Sequence, residues 1–422
     1  MSTTVVSFLG TGQRATPNDP RSEYRTTTYR FTVPDGREFL YRTSLFGTAL
    51  IRFLRETGTQ IDRWIVLGSS ASLWSELNQV LPDPGEVLEE YCRIDARVAE
   101  KNVDEEALSR WQASLNAHAA PLDLRLRLTG EALAMESQQQ IARALFENIP
   151  RGNEVVFDVS HGFRHQPIIA GFMISLMRWT HRIQRLSFYS GVFEARQGDV
   201  APVLALPICQ ELVDATEAAA ILDVTGNYER VARCLGLDAE SAWFLENTNQ
   251  LGNARAQAQR LRKQASGGAD VVHEELAALL QERLQWAEQL SFAERMRQSA
   301  RSAIDRGDYF RAVVLGYEAV LIRAGQVLFP SADPLEHETR KQAEDGLFNR
   351  LTGGDKELLR DMQQTRNACA HGSRSRSGRV QQILGSPRHF RDLMGRAFDL
   401  FDRLPELLEL QPPRAPQPDD AP

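Results

Sequence analysis

An arginine and a histidine lie close together near the end of this 422-residue chain. Asn367 directly follows Arg366, and His371 follows four residues later. Histidine titrates near neutral pH and can act as acid or base, whereas the guanidinium group keeps its charge and matches the geometry of phosphate. This pair suits RNA cleavage without a metal ion, in which one group assists the 2'-hydroxyl and a cation stabilises the phosphoryl oxygens. The ordinary alternative for so short a pattern is a surface arginine and a capping or core histidine.

The spacing of the two residues constrains how they work together. Residues five positions apart are separated by about 140° on an ideal helix, so Arg366 and His371 do not share a face. Gly372 and the breaker-rich residues 373–378 place His371 at or beyond a helix end. Two copies facing each other across a twofold axis would supply two arginines and two histidines to one phosphate. The spacing therefore predicts a composite site in a homodimer.

Two further features surround this motif. Arg374, Arg376 and Arg379 form a basic run that would hold the flanking RNA backbone, with a solvated loop as the alternative. Glu318 belongs to an earlier helical segment, where it either orients a residue of the motif or is a surface carboxylate. The sequence leaves both pairs of alternatives open.

Three loops in the first half carry a second set of candidate residues. Each follows an apolar run typical of a buried strand, and in open α/β sheets ligands bind beyond the carboxyl ends of the strands. Backbone N–H groups, hydroxyls, an imidazole and a guanidinium suit a ligand that bears phosphate. Ordinary turn chemistry is the alternative for each loop taken singly, and a structural hydrogen bond is the alternative for His161. The candidates are Gly10, Thr11 and Gly12 in the first loop, Ser69 and Ser70 in the second, and Ser160, His161, Gly162 and Arg164 in the third.

Residues 10–15 also match the GxGxxA fingerprint of dinucleotide-binding proteins. That fingerprint requires a helix that opens at the loop and holds a pyrophosphate at its N-terminus. Residues 16–20 read Thr-Pro-Asn-Asp-Pro, which does not start such a helix. A nucleotide-dependent oxidoreductase is therefore disfavoured.

The first half alternates strand-like runs with helical patterns, which predicts an α/β domain with a largely parallel sheet. An antiparallel hairpin is predicted at residues 24–33 and 38–43, with a turn at Pro34-Asp35-Gly36. Helices are predicted at 44–56, 105–118, 137–148 and 167–180. The strands are predicted at 4–9, 64–67, 154–159 and 186–189.

After residue 206 the pattern becomes helical throughout, because Ala, Leu, Glu, Arg and Gln replace the β-branched runs. A break at Ser266-Gly267-Gly268 separates a helical connector from a C-terminal bundle. Bundle helices are predicted at 272–306, at 309–328 and from Lys356 into the motif, the last capped by Gly353-Gly354-Asp355. The predicted domains are 1–206, 207–269 and 270–410, followed by a disordered tail at 411–422.

Composition excludes several classes of protein. A hydrophobic content of 42% and a charged content of 25% are typical of globular chains, and no apolar run suggests a membrane span. The net charge of -7 argues against a protein that coats nucleic acid through bulk electrostatics. The four scattered cysteines suit neither a zinc site nor a disulfide framework. The start of the chain has no basic region typical of a signal peptide, so we expect a cytoplasmic protein without a bound metal or cofactor.

Two of these motifs together resemble a known family. Asp158-Val159-Ser160-His161-Gly162-Phe163-Arg164 resembles the Asp-x-Thr/Ser-His-Gly signature of CRISPR-associated CARF proteins, with Ser at the Thr position. Residues 366–371 look like the Arg-x(4-6)-His motif of HEPN ribonucleases, including the Asn after the Arg. The motifs occur in the order sensor, then nuclease. Over nearly its whole length the chain thus resembles CARF-HEPN ribonucleases of type III CRISPR defence.

The resemblance implies a Rossmann-like CARF sensor followed by a HEPN helical bundle. In such proteins two sensor domains of a homodimer bind cyclic oligoadenylate, which activates cleavage of single-stranded RNA by the HEPN pair. The resemblance assigns activator binding to the three loops and catalysis to Arg366, Asn367 and His371. It leaves open the ring size of the activator, the RNA sequence preference, degradation of the activator by the sensor, and oligomers above the dimer.

A non-catalytic protein that responds to cyclic nucleotides is the alternative from a different functional class. Its helical half would serve dimerisation or contact with a partner. The presence of both Arg366 and His371 tells against this alternative.

Overall fold

The computed structural model describes residues 2–12, 14, 23–265, 270–372 and 377–410. The chain divides into two compact units, Met1–Val213 and Asp214–Pro422. This division falls inside the helix Pro207–Thr225, a few residues after the predicted boundary at 206. The predicted three-domain division stays a prediction. The break at 266–268 and the tail at 411–422 lie outside the described residues.

An eight-stranded sheet forms the centre of the first unit, with the order β3-β2-β8-β7-β6-β1-β4-β5. Five neighbouring strands are parallel to one another, namely β7, β6, β1, β4 and β5. Strand β8 is antiparallel to β7. The strands are β1 (Thr3–Phe8), β2 (Thr27–Thr32), β3 (Glu38–Thr43), β4 (Ile61–Gly68), β5 (Asp123–Leu128), β6 (Glu154–Asp158), β7 (Leu186–Gly191) and β8 (Val200–Ala205).

The four predicted strands and the hairpin are confirmed, and Tyr29 pairs with Tyr41 across the hairpin. The hairpin joins the main sheet because β2 runs parallel to β8. Two strands, β5 and β8, were not predicted. The first alternates charged and apolar residues instead of forming an apolar run, and the second contains Pro202, which usually argues against an inner strand.

Helices cover both faces of the sheet, because alternate strand residues point to opposite sides. Val5 and Trp64 pack in a core that α1, α2 and α3 complete. Val6 and Ile65 pack in a second core that α4 and α5 complete. The first unit is therefore a three-layer α/β/α domain. Its helices are α1 (Phe46–Glu56), α2 (Leu88–Ala99), α3 (Glu105–His118), α4 (Met135–Asn148) and α5 (His165–Thr180).

The edge strand β5 bonds to side chains of α3. The Asn116 amide accepts from the Leu124 N–H at 2.8 Å and donates to the Leu124 carbonyl at 3.0 Å. The Gln112 side chain accepts from the Leu126 N–H at 2.8 Å. These contacts satisfy outward-facing backbone groups of the edge strand.

The described part of the second unit contains helices and no strand. Helix α12 lies at its centre and packs against α11, α13, α14 and α16. The helices from the junction onward are α6 (Pro207–Thr225), α7 (Glu229–Cys234), α8 (Glu240–Asn247), α9 (Leu251–Gln264), α10 (Val271–Arg283), α11 (Phe292–Asp305), α12 (Tyr309–Leu328), α13 (His337–Arg350), α14 (Gly353–His371), α15 (Gly378–Leu384) and α16 (Pro387–Leu410).

Two predictions about the helical half are wrong. The single helix predicted at 272–306 is two helices, α10 and α11, with a short 3-10 helix at Gln285–Glu288 between them. The predicted cap at 353–355 lies inside the first turn of α14, where Asp355 pairs with Arg403 of α16 at 2.7 Å. Helix α13 was not predicted, because its sequence is polar and weakly amphipathic.

A buried ionic cluster joins α8, α10 and α12. Glu246 is 1% exposed, and its carboxylate pairs with both Arg283 and Arg311. The Arg311 guanidinium also donates to the backbone carbonyl of Glu246 at 2.7 Å. The cluster thereby connects a helix of the predicted connector to helices of the predicted bundle. Among the described residues, no helix is both long and apolar enough to cross a membrane.

We expect Glu246→Ala to reduce the free energy of unfolding by about 3–5 kcal/mol, because two guanidinium groups would remain buried without a carboxylate. Chemical denaturation of the full chain, followed by circular dichroism, measures this loss. The exposed Glu240 on the same helix offers a control, whose replacement by Ala should change stability by no more than about 0.5 kcal/mol. Equal losses in the two variants would contradict a role for the cluster.

Candidate functional site

A cavity of about 380 Å³ lies at the carboxyl ends of β4, β1 and β6. These three strands are neighbours in the sheet, so the loops that follow them meet at one edge. The structure brings together the following sequence-predicted residues in the cavity wall: Gly10, Thr11, Gly12, Ser69, Ser160, His161 and Gly162.

Two predicted ligand-binding residues lie outside this wall. Ser70 is exposed, and its backbone carbonyl accepts from the Val103 N–H at 3.2 Å. Arg164 is exposed at the start of α5. The structure of one chain therefore does not place either residue with the other candidates.

Hydrogen bonds fix the first loop against the second. The Ser72 hydroxyl donates to the Leu9 carbonyl at 2.8 Å, and the Leu73 N–H donates to the Gly10 carbonyl at 2.9 Å. Gly12 has a φ of +63°, and a Cβ atom there would lie 2.6 Å from a methyl carbon of Leu73. The backbone of the first loop is thus held in a conformation that favours glycine.

The third loop depends on Gly162 in the same way. Its φ is +93°, and a Cβ atom there would lie 2.9 Å from Cβ of Phe8 and 2.9 Å from Oε1 of Gln166. The buried Gln166 amide accepts from the Phe163 N–H at 3.0 Å and donates to the Gly130 carbonyl at 3.0 Å. This amide therefore holds the loop at the start of α5.

A buried carboxyl group lies beneath the third loop. Asp158 is 0% exposed, and burial raises the pKa of its carboxyl group. Its Oδ1 accepts from the Ser160 N–H at 2.8 Å, whereas its Oδ2 and the Nε2 of His161 are buried without a hydrogen bond to another described residue. The Ser160 hydroxyl accepts from the Gly191 N–H at 2.7 Å, which ties this loop to the end of β7.

The sequence did not reveal the rest of the cavity wall. These residues come from the hairpin, from the segments after β3 and β7, and from positions next to the predicted ones. The polar and aromatic residues at the hairpin ends were the only sequence feature that could have indicated them. That feature is not sufficient, because the hairpin reaches the cavity only through the pairing of β2 with β8. The additional residues are Leu9, Arg25, Thr27, Tyr29, Thr43, Ser44, Ser72, Leu73, Phe163, Gln166, Gly191, Phe193 and Glu194.

The second candidate site lies at the end of α14, which carries Arg366, Asn367 and His371. The helix ends at His371, and Gly372 adopts the left-handed conformation with a φ of +59°, which confirms the predicted helix end. Asn367 and His371 are exposed, whereas Arg366 is half-buried above the ring of Tyr317. Because the two residues lie five positions apart on α14, the arginine and histidine of one chain are on different faces.

The neighbouring charged residues have partners of their own. Glu318 pairs with Arg340 of α13, so this carboxylate is engaged with a residue outside the motif. Arg379 pairs with Glu357 at 2.6 Å and with Asp361 at 2.9 Å, both on α14. The predicted RNA contacts Arg374 and Arg376 lie outside the described residues. A role of Arg379 in RNA binding stays a prediction.

Comparisons with known proteins give limited similarity. The chain is 26% identical over 222 residues to the CRISPR-associated protein MJ1674 of Methanocaldococcus jannaschii, a match that covers 48% of this chain and 33% of that protein. The chain therefore spans about a third of the length of this curated relative. No protein-family model matches the sequence.

A solved structure of Enterococcus italicus Csm6 bound to cyclic hexa-2'-fluoro-hexa-dAMP aligns with 97% of this chain and 99% of that chain. The two sequences are 10% identical, and the TM-score is 0.30. A TM-score of this size does not establish a common fold.

We expect Gly162→Ala to destabilise the first unit by about 1–3 kcal/mol, because the added Cβ meets both a left-handed backbone and Phe8. Gly152→Ala is a matched control, since Gly152 has a φ of +79° and a Cβ atom there would meet nothing within 4 Å. Urea unfolding should show the greater loss for Gly162→Ala. Equal decreases in the free energy of unfolding would mean that the contact with Phe8 does not contribute to the loss of stability.

Proposed function

We propose that this protein is a CRISPR-associated CARF-HEPN endoribonuclease that cyclic oligoadenylate activates. The observation that carries the proposal is the convergence of the three predicted loops on one cavity. In the helical half of the same chain, helix α14 carries the Arg366 to His371 motif and ends at His371. The sequence similarity to a CRISPR-associated protein supports the assignment to this defence system.

The cavity offers groups that suit an adenylate. The glycine loops and the hydroxyls of Ser69 and Ser160 are donors for phosphate oxygens. Phe193, which is half-buried in the cavity wall, provides an aromatic surface on which adenine can stack.

The size of the cavity supports a shared site. Its volume of about 380 Å³ is near the lower end of the range of about 300–1,000 Å³ for small-molecule pockets. One cavity suits a single nucleotide better than a ring of several. Two copies of the chain would therefore bind the ring together, each taking part of it.

Helix α5 provides a surface for this pairing. Its outer face exposes Ile168, Phe172 and Leu176, which are 60%, 75% and 50% exposed and follow a four-residue spacing. Such an exposed apolar stripe is typical of an interaction surface. Because α5 begins directly after the third loop, a second copy packed along this face would bring two cavities close together.

In the proposed reaction, the motif on α14 cleaves RNA. His371 accepts the proton of a 2'-hydroxyl while that oxygen attacks the adjacent phosphorus and the bond to the 5'-oxygen breaks. The products are a 2',3'-cyclic phosphate and a 5'-hydroxyl, which receives its proton from the imidazolium of the second copy. Arg366 stabilises the charged phosphoryl oxygens, and Asn367 donates a hydrogen bond to them. The two copies complete a site that one chain does not form alone.

We expect His371→Ala to reduce RNA cleavage by at least about 100-fold, because the base that assists the 2'-hydroxyl is lost. The measurement uses purified protein, labelled single-stranded RNA, EDTA and each cyclic oligoadenylate in turn. His389→Ala is the control, since His389 is also exposed but lies on α16. RNA cleavage by His371→Ala at the rate of the unaltered protein would contradict this proposal. Activator binding without cleavage by the unaltered protein would favour a non-catalytic regulator.

We expect Phe172→Asp to convert the dimer to a monomer, because a carboxylate would be buried in the apolar interface. Sedimentation analysis measures the mass, and activator titration should show weaker binding in the same variant. Phe244→Asp is the control, because Phe244 is also an exposed phenylalanine, at 64%, but belongs to the helical unit and not to α5. A dimer that survives Phe172→Asp would rule out this face as the interface.

A further inference from the structure

Arg366 lies on a buried tyrosine. Tyr317 of α12 is 0% exposed, and its ring centroid is 5.1 Å from the guanidinium carbon of Arg366. This distance is within the range of about 6 Å for an attractive cation–π contact. Burial raises the pKa of the Tyr317 phenol, so its hydroxyl remains a hydrogen-bond donor at neutral pH.

The position of this ring is itself fixed by a carboxylate. Glu344 of α13 accepts a hydrogen bond from the Tyr317 hydroxyl and another, at 2.6 Å, from the side-chain amide of Gln363. Gln363 lies three residues before Arg366 on α14, so the two share a face of that helix. Glu344 therefore connects α12 to α14 next to Arg366.

Arg366 differs from its charged neighbours in how it is held. Arg340 and Arg379 pair with carboxylates, whereas Arg366 forms no ion pair with any described residue. Its Nε is buried and has no hydrogen-bond partner among those residues. The cation–π contact thus holds the guanidinium group without a carboxylate that would compete with phosphate for its charge.

We propose that Tyr317 is the platform that orients Arg366 toward the scissile phosphate, and that Glu344 is a positioning residue that fixes the Tyr317 ring. Both act through Arg366 and neither contacts the RNA. This inference rests on the proposed ribonuclease function. It assigns to Tyr317 and Glu344 the orienting role that the sequence had suggested for Glu318.

The proposal requires a specific dependence on the ring. Tyr317→Leu should reduce kcat about 100-fold with little change in KM, because a small displacement of a positioning group has an effect of that order. Tyr317→Phe keeps the ring and should lose less activity than Tyr317→Leu. Glu344→Gln should also reduce kcat, since the charge that holds the phenol is removed.

A double-mutant cycle with Arg366→Lys separates positioning from general damage. Lysine keeps the positive charge but lacks the planar group that stacks. If Tyr317 and Glu344 act through Arg366, their replacement should reduce kcat no further in the Arg366→Lys protein, whereas independent effects would multiply. Tyr309→Leu is the matched control, because Tyr309 also lies under an arginine, Arg391, at 5.7 Å on the same helix α12. It should leave kcat within about twofold, because Tyr309 lies eight residues, about 12 Å, before Tyr317 along α12 and contacts Arg391 instead of Arg366.

The outcomes distinguish this inference from the function on which it rests. If Arg366→Lys and His371→Ala each cleave RNA at the rate of the unaltered protein, the ribonuclease assignment is overturned. Suppose instead that Arg366→Lys reduces kcat, and that Tyr317→Phe and Glu344→Gln reduce kcat by the same factors in the Arg366→Lys protein as in the unaltered protein. That result would overturn the positioning role alone. Thermal melting identifies any variant that fails to fold, and if Tyr317→Leu does so, the other two variants decide the question.

Discussion

The parallel pairing of β1 with both β4 and β6 is the constraint on which the candidate sensor depends. Parallel neighbours end at the same edge, so the loops after these three strands meet although their positions span more than a hundred residues of sequence. The glycines at 12 and 162 then allow the loops to approach neighbouring side chains closely. The cavity is thus a product of strand order, and local conformation only adjusts its shape.

Much of this architecture could be predicted from residue patterns. Apolar strand runs and helical periodicity located the sheet centre, the hairpin and four of the five helices around it. Seven of the nine candidate residues in the three loops could also be predicted, since each loop follows a strand, whereas Ser70 and Arg164 lie outside the cavity wall. Strand β5 was missed because its apolar residues alternate with charged ones, and β8 because it contains Pro202. Tyr29 and Phe193 could not be found, because their position requires knowledge of which strands are neighbours.

The helical half was harder to predict in detail because helical periodicity does not identify packing partners. The end of α14 at His371 could be predicted from local breakers. The cation–π contact of Arg366 with Tyr317 could not, since the two residues lie on different helices almost fifty positions apart. Helix α12 contributes this tyrosine because it lies at the centre of the unit, where its neighbours cover it. The candidate arginine thereby contacts a residue that looks like ordinary core in the sequence.

The side-chain amides that cover β5 have a further consequence. An open edge strand is a template on which another chain can add a strand, and natural proteins block such edges. Here Asn116 and Gln112 already occupy backbone groups of β5, and Arg125 and Arg127 interrupt its apolar residues. Extension of the sheet from one molecule into the next is therefore blocked at this edge. The pairing proposed for the exposed face of α5 does not use this edge, and a twofold contact of that kind would end in a closed pair rather than an open fibre.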